Sequence, residues 1–352
     1  MKTVFPKYYA KFKCRADKCS DNCCIGWEID IDEKTLEKYD SLSSELGERI
    51  RKSIVRDEGV PHFKMNGERC PFLNEHNLCD IISSIGDGGL CGICREHPRF
   101  YNELCGLTLG GVGMSCEAAA ELILSERPAI CGDISSLLSE ESEEFECGSL
   151  IAKALFDIEN ILNSEKISDN ERIYCAFSRM AELDGELCEA IFGEGEDECE
   201  DILSSCRSLF SEKEPEVVEA ALGIIPELEL MGEELKRCVD FASWESVCRL
   251  YEGSADFRGV IFSSLGYLIL RYLPSSAEAG ALHSMNVILA SLIYLALLYS
   301  GCESFSTERE SISTGCAFRD VKVCDDIVRR AVLFSKEIEY CEENIEKLDL
   351  QK

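Results

Sequence analysis

No apolar run in this sequence is long enough to cross a membrane. The longest, Val287 to Tyr299, has 13 residues, whereas a spanning helix needs about 18 or more. The opening segment MKTVFPKYYAKFKC has charges and a proline where a secretory signal carries apolar residues. No lipidation motif is visible. We therefore expect a cytoplasmic protein that makes no membrane contact, with 287–299 as a buried core helix.

Basic residues are scarce relative to acidic ones. The chain has 36 Lys and Arg against 67 Asp and Glu, for a net charge of −31. The imbalance lies after residue 120, because the first 120 residues hold 16 basic and 19 acidic side chains and the rest hold 20 and 48. Such a surface repels phosphate backbones and argues against nucleic-acid binding. It either attracts a basic, lysine-bearing protein or simply keeps helix faces solvated.

Two common cofactor motifs are also absent. The Cys-x3-Cys-x2-Cys pattern of radical S-adenosylmethionine enzymes fails, because Cys19-x3-Cys23 is followed at once by Cys24. No G-x-G-x-x-G follows a clear strand, and the glycine-rich run at 109–113 is by itself typical of a turn or bulge. Three histidines lie in no motif and are treated as ordinary: His62, His76 and His283.

Cysteine, by contrast, is abundant. Ten of the 22 cysteines lie in tight groups before residue 117, and the other twelve are scattered singly. A secreted disulfide protein uses cysteine in this way, but it needs an export signal. We therefore interpret the clustered cysteines as reduced thiols that ligate metal, and the scattered ones as small buried side chains.

The clustered cysteines have the short spacings of metal ligands. The groups are Cys14-x4-Cys19-x3-Cys23-Cys24, then Cys70 with Cys79, then Cys91-x-x-Cys94, and finally Cys116 at the predicted start of a helix. Zinc and iron–sulfur centres both take about four thiolates, and ligand softness does not separate them. Adjacent side chains such as Cys23 and Cys24 point in different directions. Either one of them ligates a centre while the other packs in the core, or the two ligate different centres.

Hydrophobic periodicity predicts a mainly α protein with two domains. Residues 1–128 are expected to form a small, loop-rich α+β metal-binding domain, and residues 129–352 an acidic all-α domain. Alternation from Trp27 to Asp32 predicts a short strand, and Asp32 is a suitable N-cap for the next helix. A serine-rich acidic linker is predicted at 135–146, and helices near 150–162, 171–192, 214–250, 257–273, 284–299 and 321–347.

Taken together, these segments resemble the flagellin lysine-N-methylase family and the related zinc- or iron-chelating domains with closely spaced cysteines. The resemblance covers roughly residues 8–125, and the helical remainder matches in length and character only. It rests on Phe12-Lys-Cys14, Cys23-Cys24-Ile-Gly-Trp27, Cys70-Pro-Phe-Leu73, Leu78-Cys79-Asp-Ile81, Cys94-Arg95-x-x-Pro98-Arg99 and Ser115-Cys116-Glu-Ala-Ala.

The resemblance implies a protein lysine N-methyltransferase that uses S-adenosylmethionine, acts on flagellin and holds an iron–sulfur cluster, expected to be 4Fe-4S, with zinc as the alternative. The implied ligands are Cys14, Cys19, Cys23, Cys24, Cys70, Cys79, Cys94 and Cys116. Cys91 and Cys105 fall outside the family pattern. The alternative function is a zinc- or iron–sulfur-binding module, structural or electron-carrying, without enzymatic activity. No catalytic residue or S-adenosylmethionine site is assigned, and eight thiols are enough for one centre or two.

Overall fold

Helices dominate the computed structural model of the chain, which confirms the predicted mainly α class. The structure describes residues 2–57, 59–104, 107–130, 146–192, 199–213, 215–302, 305, 323–348 and 350. In chain order the helices are α1 (Glu33–Ser41), α2 (Glu45–Ser53), α3 (Asp80–Ile85), α4 (Gly92–Glu96), α5 (Glu117–Ser125), α6 (Glu146–Leu162), α7 (Asp169–Phe192), α8 (Glu200–Ser208), α9 (Glu216–Ile224), α10 (Glu234–Asp240), α11 (Trp244–Gly253), α12 (Ala255–Tyr272), α13 (Ser276–Ala279), α14 (Ala281–Ser300), α15 (Asp325–Phe334) and α16 (Glu342–Lys347), with a π-helix at Ser335–Glu339. The strands are β1 (Lys2–Val4), β2 (Ile54–Asp57), β3 (Val60–Phe63), β4 (Arg99–Leu104) and β5 (Leu107–Val112).

The chain divides into two compact units. The cysteine unit comprises Lys13–Phe100 and Cys116–Ala118, and the helical unit comprises Met1–Phe12, Tyr101–Ser115 and Ala119–Lys352. The sequence predicted a single domain boundary between residues 128 and 129. The two compact units of the structure are not divided at that point. The physical reason is strand pairing, because β1 runs parallel to β5 within the helical unit. The predicted linker lies outside the described residues except for its last residue, which begins α6.

In the cysteine unit, the predicted strand before α1 is extended and half-buried. Ile29 and Ile31 are buried while their neighbours are exposed, which confirms the alternation. The segment pairs with the β2–β3 hairpin, because the Ile31 amide donates to Pro61 and the Phe63 amide donates to Ile29. Asp32 then caps α1 as predicted, by accepting a hydrogen bond from the Thr35 amide at 3.0 Å.

The core of the cysteine unit contains thiols as well as ordinary apolar side chains. Tyr39, Ile50, Phe63 and Phe72 are almost fully buried, and the rings of Phe63 and Phe72 meet edge to face with centroids 4.9 Å apart. Phe72 is therefore a core residue. The cysteines in or against this core are Cys24, Cys70, Cys79, Cys91 and Cys94.

In the helical unit, the glycine-rich run at 109–113 lies in and just after a strand, not in a cofactor loop. β5 is buried along its whole length and is the middle strand of the order β1-β5-β4. A Cβ at Gly110 would lie 2.2 Å from the ring of Phe5, so glycine is required there by close packing. The Phe5 ring in turn stacks on Tyr9 with centroids 4.1 Å apart.

The core of the helical unit is built around α14, which packs against α12. By length and composition alone α14 could cross a membrane, and 89% of its most apolar window is buried inside the protein. The core helix of a folded domain passes the same test, so the interpretation of 287–299 as a buried helix is confirmed. The remaining predicted helices are found as α6, α7, α9 to α12, α15 and α16 with the π-helix, although 214–250 is divided into three helices. Helix α8 was not predicted.

A buried ion pair links α12 to the π-helix. The Glu339 side chain is fully buried and lies 3.1 Å from the Arg271 Nε. Its carboxylate also accepts hydrogen bonds from the hydroxyls of Tyr267 at 2.9 Å and Tyr272 at 3.0 Å. The carboxylate thus receives three donors, which is what a charge needs if it is to be buried.

Candidate metal centre

The structure brings nine of the ten N-terminal cysteines into one unit. All eight predicted ligands and Cys91 belong to the cysteine unit. Cys105 lies outside the described residues. No cysteine in the described part of the chain forms a disulfide. Within the unit the nine thiols fall into two sets, which meet where the side chains of Cys23 and Cys24 are hydrogen-bonded to each other.

The first thiol set consists of Cys14, Cys19, Cys23 and Cys116. Burial, followed by repulsion from Cys116, Glu117, Cys14 and Cys23, raises the pKa of Cys19 to about 12. This repulsion means that the other three sulfurs lie close to Cys19. Cys14 and Cys23 are exposed, whereas Cys116 is buried immediately before α5, close to the helix start that was predicted for it. The first set therefore lies at the edge of the unit, open to solvent.

Glu117 holds the first set together. Its carboxylate accepts hydrogen bonds from the backbone amides of Ser20 at 2.7 Å and Asp21 at 3.1 Å, and it pairs with Arg15 at 2.8 Å. The donors lie among the residues that carry Cys14, Cys19 and Cys23, and the acceptor is next to Cys116. These contacts keep the pKa of Glu117 below its usual value although its partial burial acts the other way. One carboxylate thus fixes the fourth thiol against the other three.

The second thiol set consists of Cys24, Cys70, Cys79, Cys91 and Cys94. A hydrogen bond with Cys91, burial, and repulsion from Cys91, Cys24 and Cys70 raise the pKa of Cys94 far above its usual value. Repulsion from Cys79 and Cys91 likewise contributes to the raised pKa of Cys70. Backbone pairing fixes part of this set, because the Cys70 amide donates to the Cys24 carbonyl at 2.9 Å.

Backbone amides donate to the sulfurs of the second set. The amides of Phe72 and Leu73 lower the pKa of Cys70, although burial is the larger effect and the net pKa is about 11. The amides of Ile82 and Ile81 act in the same way on Cys79, again against a larger effect of burial. N–H donors aimed at sulfur favour the thiolate, and in metal centres they stabilise the ligating form.

Cys91 is part of this set, although the sequence resemblance left it out. Its thiol is buried and hydrogen-bonded to Cys94, and these bonds lower the pKa of Cys91. Asp32 fixes the turn, because its carboxylate accepts from the Gly92 amide at 2.8 Å as well as capping α1. The Cys-x-x-Cys spacing was the signal for Cys91, but no local pattern indicated the roles of Asp32 or Glu117.

Two carboxylates thus anchor separate thiol turns, and each can be tested by hydrogen exchange. We expect Glu117→Ala to speed exchange at the amides of Ser20 and Asp21, and Asp32→Ala at those of Thr35 and Gly92. Hydrogen bonds to a charged acceptor are worth about 1.5–3 kcal/mol, which corresponds to roughly 10- to 100-fold in exchange rate.

The two variants are controls for each other when amide exchange is read by NMR. Each should leave the other's pair of amides unchanged. If either variant accelerates all four amides equally, the carboxylate is stabilising the whole unit rather than positioning one turn.

The donor chemistry of both sets fits a thiophilic centre. Repulsion from neighbouring thiols contributes to the raised pKa values of Cys19, Cys24, Cys70 and Cys94, and a bound cation would compensate it. Two groups of three ligand atoms within 4.8 Å of one another occur in the described part of the chain, and neither contains an N-terminal cysteine. Sulfurs bonded at 2.3 Å to a single tetrahedral zinc would be only about 3.8 Å apart. No three of the described N-terminal thiols therefore lie as close to one another as the ligands of one zinc ion, although Cys91 and Cys94 are hydrogen-bonded.

The fold and the thiols define a mainly helical protein with a compact unit that carries two sets of reduced cysteines. Comparison with known proteins finds the flagellar biosynthetic protein FliU of Salmonella muenchen, 28% identical over 136 residues, which are 36% of this chain and 78% of that protein. The lysine-N-methylases of Salmonella typhimurium strain LT2 and Salmonella choleraesuis strain SC-B67 are each 27% identical over 136 residues.

The chain is thus related to the lysine-N-methylases, as its cysteine segments indicated. The matched stretch covers 36% of the chain and only 33% of each methylase. No protein-family model matches the chain, and no solved structure matches it.

Proposed function

We propose that the cysteine unit binds iron–sulfur, with one centre at each thiol set. The first set would supply Cys14, Cys19, Cys23 and Cys116, and the second would supply four of its five cysteines. Cys23 belongs to the first set and Cys24 to the second, and this division supports two centres rather than one. The predicted ligands are thereby divided, and Cys91 is added as a candidate.

The spacing of the thiols supports a four-iron cluster over zinc. Each cysteine of a 4Fe-4S cluster ligates a different iron, so its sulfurs stand further apart than on one zinc ion. The packing of the second set against the apolar core also suits a cluster, because burial and N–H···S bonds set cluster potentials. When bound, the cluster would supply electron transfer or a rigid structural centre.

We further propose that the whole protein is an S-adenosylmethionine-dependent protein lysine N-methyltransferase of the cytoplasm, with flagellin as substrate. The observation that carries this proposal is the similarity to two proteins named lysine-N-methylase and to a flagellar biosynthetic protein. In the reaction, the neutral lysine amine attacks the methyl carbon, the carbon–sulfur bond breaks, and the nitrogen releases a proton.

The net negative charge of the chain would help it to attract and bind a lysine-bearing partner. Beyond residue 120 there are 48 acidic and 20 basic side chains, a surface that attracts a basic protein and repels nucleic acid. Negative charge raises the pKa of a lysine, which is about 10.4 to begin with, so this surface would not deprotonate the amine. Deprotonation would need a desolvated pocket at the point of transfer.

One structural finding favours the alternative function, a metal-binding module without methyl transfer. The glycine-rich run, which the sequence indicated as a turn or bulge and at most a weak cofactor motif, is a buried strand against which Phe5 packs. The alternative therefore keeps the metal centres and drops the S-adenosylmethionine site.

Anaerobically purified protein separates these possibilities in two steps. Iron–sulfur should give broad absorption near about 400 nm and iron and sulfide in matching amounts, whereas zinc protein is colourless. Isothermal calorimetry should then detect saturable binding of S-adenosylmethionine, and methyl-labelled cofactor should label lysines of flagellin. If protein with all of its metal sites filled binds no S-adenosylmethionine, the methyltransferase is excluded and the metal-binding module is the function that remains.

A further inference from the structure

A histidine and two carboxylates meet at the β2–β3 hairpin of the cysteine unit. His62 lies in β3 and is 6% exposed, and its Nε2 atom faces two exposed carboxylates. That nitrogen is 3.3 Å from Oε1 of Glu28 and 3.3 Å from Oδ2 of Asp57. The three ligand atoms all lie within 4.8 Å of one another. No sequence motif indicated this group, because the hairpin brings its members together.

The other ring nitrogen fixes what Nε2 can do. Nδ1 of His62 lies 3.3 Å from the Val60 carbonyl oxygen, which can only accept, so Nδ1 carries the proton. In the neutral ring, Nε2 then presents a lone pair to two negatively charged oxygens. That arrangement is repulsive unless a second proton on the ring or a cation lies between the three atoms. A carbonyl that holds the far nitrogen is also the usual support of a metal-binding imidazole.

The distances suit coordination better than hydrogen bonding. Hydrogen bonds from ring N–H to a carboxylate are usually about 2.7–2.9 Å long, and an N–H shared between two oxygens is aligned well with neither. Ligand atoms at about 2.0–2.1 Å from one tetrahedral ion are about 3.3–3.4 Å apart. Both distances from His62 Nε2 have this length.

Backbone pairing brings the three residues of the group together. Asp57 and Val60 are opposite each other in the hairpin, and His62 pairs with Asp30 in the preceding extended segment. Glu28 therefore comes from one piece of chain, and Asp57 and His62 from another. Both carboxylates are exposed, which leaves room for water at the remaining coordination positions.

We propose that Glu28, Asp57 and His62 bind a divalent cation of the Mn²⁺ or Zn²⁺ type, at a site separate from the thiols. One imidazole and two carboxylates suit these ions, whereas iron–sulfur centres use thiolates. The ion would join the extended segment before α1 to the β2–β3 hairpin. This proposal does not depend on methyl transfer.

Mn²⁺ is the probe of choice, because it prefers oxygen and nitrogen and binds thiolates poorly. Full-length protein, purified anaerobically with its thiol centres as isolated, is titrated with MnCl₂ while free Mn²⁺ is measured by electron paramagnetic resonance. We expect one bound equivalent. Glu28→Gln and Asp57→Asn, both at exposed positions, should each weaken binding at least about tenfold, because even residues that only support ligands contribute 10- to 100-fold.

Two variants serve as matched controls. Glu75→Gln removes the carboxylate next to exposed His76, 3.6 Å away, and Cys341→Ser disrupts the other three-residue group in the described chain. Both should bind Mn²⁺ like the wild type. The proposal is overturned if the wild type binds none up to about 1 mM, a limit that corresponds to about 4 kcal/mol of binding. It is equally overturned if Glu28→Gln and Asp57→Asn leave the affinity unchanged.

Discussion

Cys70→Ser should cost the protein the metal of its second thiol set and unfold the cysteine unit with it. Cys70 is buried in the core beside four other thiols of that set. Apparent binding energies of structural thiolate metal sites are about 10–16 kcal/mol, as large as the about 5–15 kcal/mol that keeps a typical domain folded. Metal analysis and hydrogen exchange of the cysteine unit measure the two losses together.

The matched control is Cys248→Ser in the helical unit. Cys248 is as buried as Cys70, at 8% against 6% exposed, and its thiol donates to the Glu212 carbonyl, a bond that serine can keep. This variant should retain full metal content. If Cys23→Ser, Cys24→Ser, Cys70→Ser and Cys94→Ser all retained full metal as well, the ligand assignment would be wrong.

A comparison of Cys14→Ser with Cys70→Ser tells one centre from two. With two centres, Cys14→Ser should lose only the metal of the first set, whereas with one shared centre it should lose as much metal as Cys70→Ser. Cys91→Ser then tests the thiol that the sequence resemblance set aside. Loss of metal on that substitution would place Cys91 among the ligands.

Glu339→Ala should destabilise the helical unit by about 3–5 kcal/mol. The substitution leaves the Arg271 guanidinium buried without its carboxylate and removes the acceptor of two tyrosine hydroxyls. Breaking a buried pair from one side has this magnitude, because an uncompensated charge stays behind. Urea unfolding followed by far-ultraviolet circular dichroism measures it, since most helices belong to this unit.

Two further variants show that the effect comes from the buried charge. Glu346→Ala changes an exposed glutamate in α16 and should shift stability by no more than about 0.5 kcal/mol. Arg271→Met combined with Glu339→Met removes both charges and should be more stable than Glu339→Ala alone. Equal stability of Glu339→Ala and Glu346→Ala would contradict the role given to this pair.

Local patterns in the sequence predicted local structure well. The alternation at 27–32, the Asp32 cap and the long helices all depend on neighbours a few residues apart, and all are found. The start of α5 was less well placed, because the helix was predicted to start at Cys116 and begins at Glu117. Ser115 is of a residue type that often caps helices and directly precedes Cys116, but its buried hydroxyl finds no hydrogen-bond partner in the described structure. A capping residue is recognised by type, but its side chain bonds only if the entering backbone allows it.

Features that depend on distant residues could not be predicted. The division of the thiols into two sets, with Cys91 in the second, follows from how the loops of the cysteine unit meet. Glu117 and Asp32 reach amides 97 and 60 residues away, respectively. The glycine-rich run is a buried strand because Phe5, far earlier in the chain, packs on Gly110. None of these contacts leaves a periodic signal in the sequence.

The parallel pairing of β1 with β5 has a consequence for assembly. Most of the cysteine unit lies in the chain between these two strands, so the register of Val4 with Leu109 closes a loop of about 100 residues. Closing a flexible loop of that length costs about 4 kcal/mol in chain entropy, and the cost rises with the logarithm of loop length. If the cysteine unit is already folded around the proposed metal, only the short segments that join it to β1 and β5 remain flexible. The supply of metal would then set how readily the first strand of the chain finds its partner.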